Sequence, residues 1–161
     1  MHSWPTETKC AIETEISNGC HVIINEHFNG NCISGGIGAP MNGLKVLLVE
    51  DDDNLSFVLQ ERLKSEGCET RIAKDAAAGF SIYLQFRPDL VISDLLLPGE
   101  NGVELLRRIR RVRNPNVRTI YMSAHLGWFE SEMEQEKGRP EVDVLAKPFS
   151  SCELMSLVSA H

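Results

Sequence analysis

The sequence lacks any apolar run approaching the roughly 20 residues that a membrane-spanning helix requires. Its N-terminus also lacks the basic segment followed by an apolar segment that is typical of a secretory signal peptide. Both absences argue against a membrane partner or a secreted protein. We therefore expect a cytoplasmic location.

Disulfide-forming cysteine pairs and an excess of positive charge are missing as well. The five cysteines are scattered and odd in number, which indicates reduced thiols rather than a disulfide framework. The 23 acidic residues outnumber the 16 basic ones, giving a net charge of −7. This balance argues against nucleic acid as a partner of the chain as a whole.

Residues 1–43 differ in composition from the rest of the chain. They contain six of the twelve glycines and a single basic residue, Lys9. Residues 1–43 have little apolar surface to offset the entropy cost of ordering the chain. We therefore expect a flexible or poorly defined N-terminal extension, followed by one domain at residues 44–161. A small hairpin formed by residues 22–24 and the turn pair Asn29-Gly30 is the alternative.

From residue 44 onward, strand patterns alternate regularly with helix patterns. Short apolar runs without polar alternation predict strands buried on both faces, and they end near residues 49, 73, 92, 122 and 146. Each is followed by a segment that can form a helix. Five such alternations with short connections predict an α/β fold, a doubly wound five-stranded parallel sheet with helices on both faces.

Three of the helix patterns make specific predictions. The first helix should bury Leu55, Val58, Leu59 and Leu63 and stop at Gly67. The fourth, a polar one, should run from about residue 126 to 137. The last should begin with a capping box at residues 150–153 and bury residues 154, 157 and 158.

Polar side chains stand where four of these strands end, namely Glu50 and Asp51, Asp94, Ser123 and Lys147. The carboxyl ends of parallel strands lie along one edge of a sheet, where open α/β folds bind their ligands. Asp94 on its own could be a capping or loop aspartate. Because all these residues share one edge, we instead expect them to meet in one pocket.

The residue types in this pocket favour phosphoryl chemistry. Three neighbouring carboxylates repel one another unless a cation is present, and ligands that are all oxygen atoms suit Mg²⁺, with Mn²⁺ as a substitute. Lys147 can pair with Asp94 or with a phosphoryl oxygen, and Ser123 can donate to another such oxygen. Asp94 is the carboxylate placed to act as a nucleophile, since aspartyl phosphates are known covalent intermediates.

Four motifs occur together here: V-L-L-V-E-D-D at 46–52, S-D-L-L-L-P-G-E-N-G at 93–102, Y-M-S-A at 121–124 and L-A-K-P-F at 145–149. With these motifs, residues 44–160 resemble the receiver domain of two-component response regulators. The resemblance implies a flavodoxin-like sheet with strand order 2-1-3-4-5, as in the chemotaxis members of that family.

The resemblance also implies a metal site and a phosphoacceptor. Asp94 would be the phosphoacceptor, and Asp94 and Asp51 would bind Mg²⁺ directly. Glu50 would bind it through water, and the backbone carbonyl of Leu96 would complete the protein ligands.

Further roles follow from the same resemblance. Ser123 would be the switch hydroxyl, Ala124 the small residue that leaves room for the phosphoryl group, and Lys147 the family's lysine, followed by a cis bond to Pro148. Pro98 and Gly102 are expected to be structural, because they break the chain before the third helix.

Position 144 departs from the family pattern. Members usually carry Tyr or Phe three residues before the lysine, where the ring moves inward when the hydroxyl engages phosphate, but this chain has Val144. Phosphorylation does not need the ring, whereas relay of the signal to the surface does. Trp128 and Phe129 are candidates for that signalling surface, although one of them could simply pack beneath the fourth helix.

The leading functional hypothesis is a phosphoacceptor that is not an enzyme beyond slow self-phosphorylation and autodephosphorylation. It would take its phosphoryl group from a histidine kinase or a histidine phosphotransfer protein and signal to a protein target, in a phosphorelay or alone. A homodimer is left open. The alternatives are a degenerate receiver that binds constitutively and an aspartyl-phosphate phosphatase. The sequence argues against the phosphatase, because such enzymes typically need a second Asp at position 96, where this chain has Leu96.

Six arginines are concentrated in and after the third helix, at positions 107, 108, 110, 111, 113 and 118. A solvated helix face, with cations that favour the helix C-terminus, is one interpretation. A nucleic-acid patch is the other, although no helix-turn-helix pattern accompanies it.

Overall fold

The structure, a computed structural model, describes residues 41–136 and 138–160 together with the strand backbone of residues 12–16 and 20–24. The strands in this part of the chain are β1 (Ile12–Ile16), β2 (Cys20–Ile24), β3 (Lys45–Val49), β4 (Glu69–Ala73), β5 (Leu90–Asp94), β6 (Arg118–Ser123) and β7 (Val142–Ala146). The helices are α1 (Asp53–Ser65), α2 (Ala76–Phe86), α3 (Gly102–Val112), α4 (Glu130–Glu134) and α5 (Ser151–Ser159), and a 3-10 turn at Leu126–Phe129 precedes α4.

Strands β3 to β7 form one parallel sheet in the order β4-β3-β5-β6-β7. Counted along the chain from β3, this is the order 2-1-3-4-5, so the predicted fold class is confirmed. The pairing register places Val49 opposite Ser93 and Ser123 opposite Ala146. The carboxyl ends of the strands therefore meet along one edge, as parallel pairing requires.

Both faces of the sheet are covered by helices, which explains why the strands are apolar without alternation. One core lies between the sheet and helices α1 and α5, and contains Leu48, Leu55 and Leu154. The other lies beneath α2, α3 and α4, and contains Leu47, Leu106 and Met133. Helices packed on both faces of the sheet thus hold in place the edge at which the polar strand ends lie.

Polar caps set where the helices near this edge begin. The Asp52 side chain accepts a hydrogen bond from the Leu55 N–H at 2.9 Å and begins α1. The Asn101 side chain accepts from the Glu104 N–H at 2.9 Å and begins α3. The predicted capping box of α5 is confirmed, with Ser150 and Glu153 bonded reciprocally. Each cap satisfies N–H groups that a helix leaves free in its first turn.

The helices differ from the sequence predictions in detail. In α1, Ser56 is buried and Val58 only partly so. In α5, Leu154 and Val158 are buried as expected, whereas Leu157 is only partly buried and Met155 is buried instead. The single polar helix expected at 126–137 is wrong in form: a 3-10 turn leads into a five-residue helix, and Lys137 lies outside the described residues. The 3-10 turn and α4 contain Gly127 and few apolar residues, and they bury only Phe129 and Met133.

In the N-terminal region, β1 and β2 form a separate antiparallel pair. The expected hairpin strand at residues 22–24 falls in β2, but it pairs with the preceding strand, and Asn29 and Gly30 lie outside the described residues. The assignment of residues 1–43 to an extension stays a prediction. None of the helices in the described ranges combines the length and apolar character needed to cross a membrane.

Candidate functional site

Three charged side chains from three strand ends meet at the carboxyl edge of the sheet. Lys147 Nζ lies 2.8 Å from Glu50 Oε2 and 2.5 Å from Asp94 Oδ2. The exposed fractions of these side chains are 4% for Lys147, 2% for Glu50 and 11% for Asp94. Residues separated by 97 and 53 positions in sequence are thus joined in one ionic cluster, as the sequence analysis expected.

Asp51 adds a third carboxylate on the solvent side of this cluster. Glu50, Asp51 and Asp94 each offer an oxygen, and these oxygens lie within 4.8 Å of one another. Asp51 is exposed, whereas the other two are buried. Three carboxylate oxygens with one open side are a donor set that suits a hard divalent cation such as Mg²⁺, which keeps several water ligands.

The electrostatics of the cluster show a deficit of positive charge. Burial raises the pKa of Glu50 to about 7; Lys147 opposes this shift and the neighbouring Asp94 adds to it. Burial by itself would lower the pKa of Lys147, but Glu50 and Asp94 outweigh it, so the pKa of Lys147 is raised. The ammonium group therefore stays charged, and one cation is shared by more than one carboxylate.

The loop after β5 orients Asp94. Asp94 Oδ1 accepts a hydrogen bond from the Leu96 N–H at 2.9 Å, and the Leu95 N–H donates to the Met122 carbonyl at 2.9 Å. Gly102 closes the loop by donating its N–H to the Leu95 carbonyl at 3.1 Å. A Cβ at position 102 would lie 2.2 Å from the Asp94 carbonyl oxygen, so only glycine fits there.

The ends of β6 and β7 supply the remaining predicted residues. Ser123 Oγ accepts a hydrogen bond from the His125 N–H at 3.0 Å, and the Lys147 N–H donates to the Ser123 carbonyl at 2.8 Å. The Lys147–Pro148 peptide bond is cis, as the resemblance implied. Ser123 is thereby held beside Lys147, and Ala124 adjoins it with no side chain beyond Cβ.

The three carboxylates, Ser123 and Lys147 line one cavity of about 520 Å³. Its lining comprises Glu50, Asp51, Asp52, Leu55, Asp94, Leu96, Leu97, Pro98, Ser123, Ala124, His125, Trp128 and Lys147. Asp52, Leu55, Leu97 and His125 were not among the predicted site residues. Asp52 was detectable from sequence, since an aspartate directly before a helical pattern is an N-cap signal.

The two aromatic candidates for a signalling surface differ in position. The Trp128 ring is 67% exposed and stacks on the His125 ring, with centroids 4.1 Å apart, at the mouth of the cavity. Phe129 is 7% exposed and packs in the core. Its assignment to the surface was therefore wrong, because the 3-10 turn directs it inward, and only Trp128 presents its ring outside.

Val144 is 42% exposed on β7, and its direct partner on β6 is Tyr121. Tyr121 is fully buried. The aromatic ring in this part of the sheet thus lies on the neighbouring strand, inside the core, rather than at position 144.

Most of the clustered arginines are engaged within the chain. Arg107 pairs with Glu104, Arg108 with Glu100, and Arg110 with Glu136. Arg118 donates to the carbonyl oxygens of Leu157 and Val158. The interpretation as a solvated face was therefore wrong for Arg110. This residue is 9% exposed, and its guanidinium group pairs with the buried Glu136 carboxylate.

The family model for the response regulator receiver domain matches residues 46–159, which include every residue of the cavity. The chain belongs to this family. Its receiver domain is 36% identical over 113 residues to the DNA-binding transcriptional regulator NtrC of Bradyrhizobium sp. (strain RP501 Parasponia), covering 70% of this chain and 23% of the relative. It is 32% identical over 117 residues to the DNA-binding response regulator MtrA of Mycolicibacterium smegmatis, covering 73% of this chain and 50% of the relative.

The chain therefore spans half or less of the length of these curated relatives, and DNA binding is a property named for them. Among solved structures, the receiver domain is similar to a CheY-like response regulator receiver domain protein from Methanospirillum hungatei JF-1. The TM-score is 0.66 at 24% identity, over 74% of this chain and 93% of that chain. This likeness supports the flavodoxin-like fold.

Proposed function

We propose that the receiver domain accepts a phosphoryl group on Asp94 in a reaction that depends on Mg²⁺ or Mn²⁺. The observation that carries the proposal is the position of Asp94 at the sheet edge, where it lines a cavity large enough for a phosphoryl group. Its Oδ2 accepts a hydrogen bond from Lys147 Nζ, and its Oδ1 accepts one from the Leu96 N–H. Glu50, Asp51, Asp94 and the Leu96 carbonyl would hold the cation, which neutralises charge on the phosphoryl oxygens.

The transfer forms a bond between an Asp94 carboxylate oxygen and phosphorus. The bond from phosphorus to the donor's imidazole nitrogen breaks, and its electron pair stays on that nitrogen. Lys147 can turn from Asp94 to a phosphoryl oxygen because its ammonium group remains charged, and Ser123 can donate its hydroxyl to a second oxygen. Ala124 leaves space for the third.

A histidine kinase or a histidine phosphotransfer protein is the donor that this chemistry suits, and the acceptor protein signals through altered contacts with a protein target. The arginines of α3 favour no nucleic-acid partner, since three of them are bound to glutamates of the same chain. A phosphatase is disfavoured because position 96 has an apolar side chain, half exposed at the cavity, where an acid or base would be needed.

The test is incubation with acetyl phosphate, with and without Mg²⁺, comparing the wild type with Asp94→Ala and the isosteric Asp94→Asn. We expect an alkali-labile adduct on the wild type only when Mg²⁺ is present, and none on either variant. Asp53→Asn is a matched control, because Asp53 is 90% exposed in its side chain and lies outside the cavity lining. Equal labelling of the Asp94 variants would contradict the proposal.

A further inference from the structure

A second buried ionic cluster lies outside the phosphoacceptor cavity, between α3, α4 and the sheet. Arg110 of α3 forms an ion pair with Glu136, which follows α4, and their side chains are 7% and 2% exposed. Removing two charges from water is costly, and replacing such a pair with apolar residues is often neutral or stabilising. Stability alone is therefore a weak reason for this pair.

The cluster is joined to the strand that ends at the proposed switch hydroxyl. The Tyr121 hydroxyl lies 3.5 Å from Glu136 Oε2, and Arg110 Nη2 donates to Thr119 Oγ1 at 3.3 Å. Burial raises the pKa of Tyr121 and Glu136 raises it further, so the phenol keeps its proton as a donor. Because side chains alternate along a strand, Tyr121 and Ser123 project from the same face of β6.

On the helix side, polar contacts from α3 hold the α4 segment beside the packing of Met133. This helix has five residues and no side-chain N-cap, and its only buried member is Met133. Arg107 Nη2 donates to the Glu132 carbonyl at 3.0 Å, and Arg110 binds Glu136. At the other end of the segment, the His125 N–H is bonded to Ser123 Oγ, so the segment is held at both ends by groups linked to β6.

The hydrogen bonding of the cluster is also incomplete. Arg110 Nε is buried and has no hydrogen-bond partner among the described residues, and the Tyr121–Glu136 distance is long for an O–H···O bond. A partly satisfied buried network is costly and can rearrange without losing much energy. Such an element suits two alternative arrangements.

We propose that Arg110, Glu136, Tyr121 and Thr119, here called the coupling cluster, transmit phosphorylation at Asp94 to α4. This inference rests on the proposed function. When Ser123 turns toward the phosphoryl group, it gives up the His125 N–H, and the 3-10 turn with Trp128 is released. Tyr121 and Arg110 then act as positioning residues that determine, through Glu136, how far α4 and the adjoining 3-10 turn with Trp128 move, in place of a ring at position 144.

The test uses the full chain with Trp4→Phe, so that Trp128 is the remaining tryptophan. Trp128 emission is followed while Mg²⁺ and beryllofluoride, a phosphoryl mimic, are added to the parent protein, Tyr121→Phe and Glu136→Gln. Tyr83→Phe and Glu130→Gln are matched controls outside the coupling cluster. Labelling by acetyl phosphate is measured on all of them.

We expect labelling to be retained throughout, and the Trp128 response to be lost or severalfold smaller only in the two cluster variants. A full response in both of them would overturn the inference, and so would a labelled parent protein without any Trp128 response. Absence of labelling in every protein would instead overturn the proposed function. If Glu136→Gln does not fold, the double variant Arg110→Met/Glu136→Leu removes both charges together, and the same loss of response is expected of it.

Discussion

The proposed phosphoacceptor cavity and the coupling cluster both bury charge on the same sheet, but their balance of charge differs. In the cavity, three carboxylates face one ammonium group, and Asp51 leaves the site open to solvent. In the coupling cluster, the enclosed Glu136 carboxylate faces the enclosed guanidinium group of Arg110 and, at 3.9 Å, the partly exposed guanidinium group of Arg139.

This difference indicates what each cluster can do. An unbalanced, open cluster favours a bound cation or a change of protonation, because its own charges do not neutralise one another. A buried carboxylate that guanidinium groups already neutralise gains little from an added cation, and its ion pairs instead fix the elements that carry them. The first is suited to binding, and the second to holding or repositioning α3 and α4 as a unit.

Among the substitutions that test this comparison, Arg110→Ala should cause the largest loss of stability. The substitution removes the closer of the two guanidinium groups that face the buried Glu136 carboxylate and leaves only Arg139 Nε, 3.9 Å away. Removal of one member of a buried ion pair typically costs about 3–5 kcal/mol of unfolding free energy. Chemical denaturation followed by circular dichroism measures this loss. Saturating Mg²⁺ should leave the loss unchanged, because the proposed cation site lies elsewhere, at Glu50, Asp51 and Asp94.

Arg111→Ala is the matched control, since Arg111 is the next residue of α3 and is exposed. We expect it to change stability by less than about 0.5 kcal/mol. Equal losses for the two variants would mean that the ion pair with Glu136 contributes no more than a surface charge.

Glu50→Gln tests the imbalance of charge in the cavity, and its expected effect on stability is smaller than that of Arg110→Ala. The pKa of Glu50 is raised to about 7 in the folded protein from an ordinary value of 4.5, so the folded state binds this proton more tightly than the unfolded state does. Stability contributed by the proton is present at low pH and is lost as pH rises through 7. Glutamine mimics the protonated form at every pH.

Without metal, the wild type should therefore lose on the order of 2 kcal/mol relative to Glu50→Gln between pH 5 and pH 8. Denaturation in a chelating buffer at several pH values measures this difference. Mg²⁺ should reduce it at pH 8, because the cation compensates the ionised carboxylate. Parallel pH profiles of the two proteins would show that Glu50 does not titrate in this range.

The fold and the cavity were predictable because their signals are local in sequence. Unalternated apolar runs such as residues 90–92 predict strands buried on both faces, and a polar residue at each strand end is placed by parallel pairing alone. Asp94, Ser123 and Lys147 therefore needed no knowledge of side-chain packing to be assigned to one pocket.

The coupling cluster and α4 were not predictable in this way. Arg110 and Glu136 are 26 positions apart, and their pairing depends on the rotation of α3 and on the path of a short segment with weak apolar periodicity. From sequence, Arg110 is one of six similar arginines. Its burial distinguishes it only once the helix is docked on the sheet.

Arg107→Ala gives the smallest expected effect and sharpens the comparison within one helix. Arg107 also connects α3 to the α4 segment, through its hydrogen bond to the Glu132 carbonyl, and it pairs with Glu104 within α3, but its side chain is 20% exposed. Partly solvated pairs of this kind contribute about 0.5–1 kcal/mol, since water replaces the lost partner. Denaturation under the conditions used for Arg110→Ala should therefore show a loss several times smaller. A loss as large as that of Arg110→Ala would mean that connection to α4, rather than burial of charge, determines the energy of both contacts.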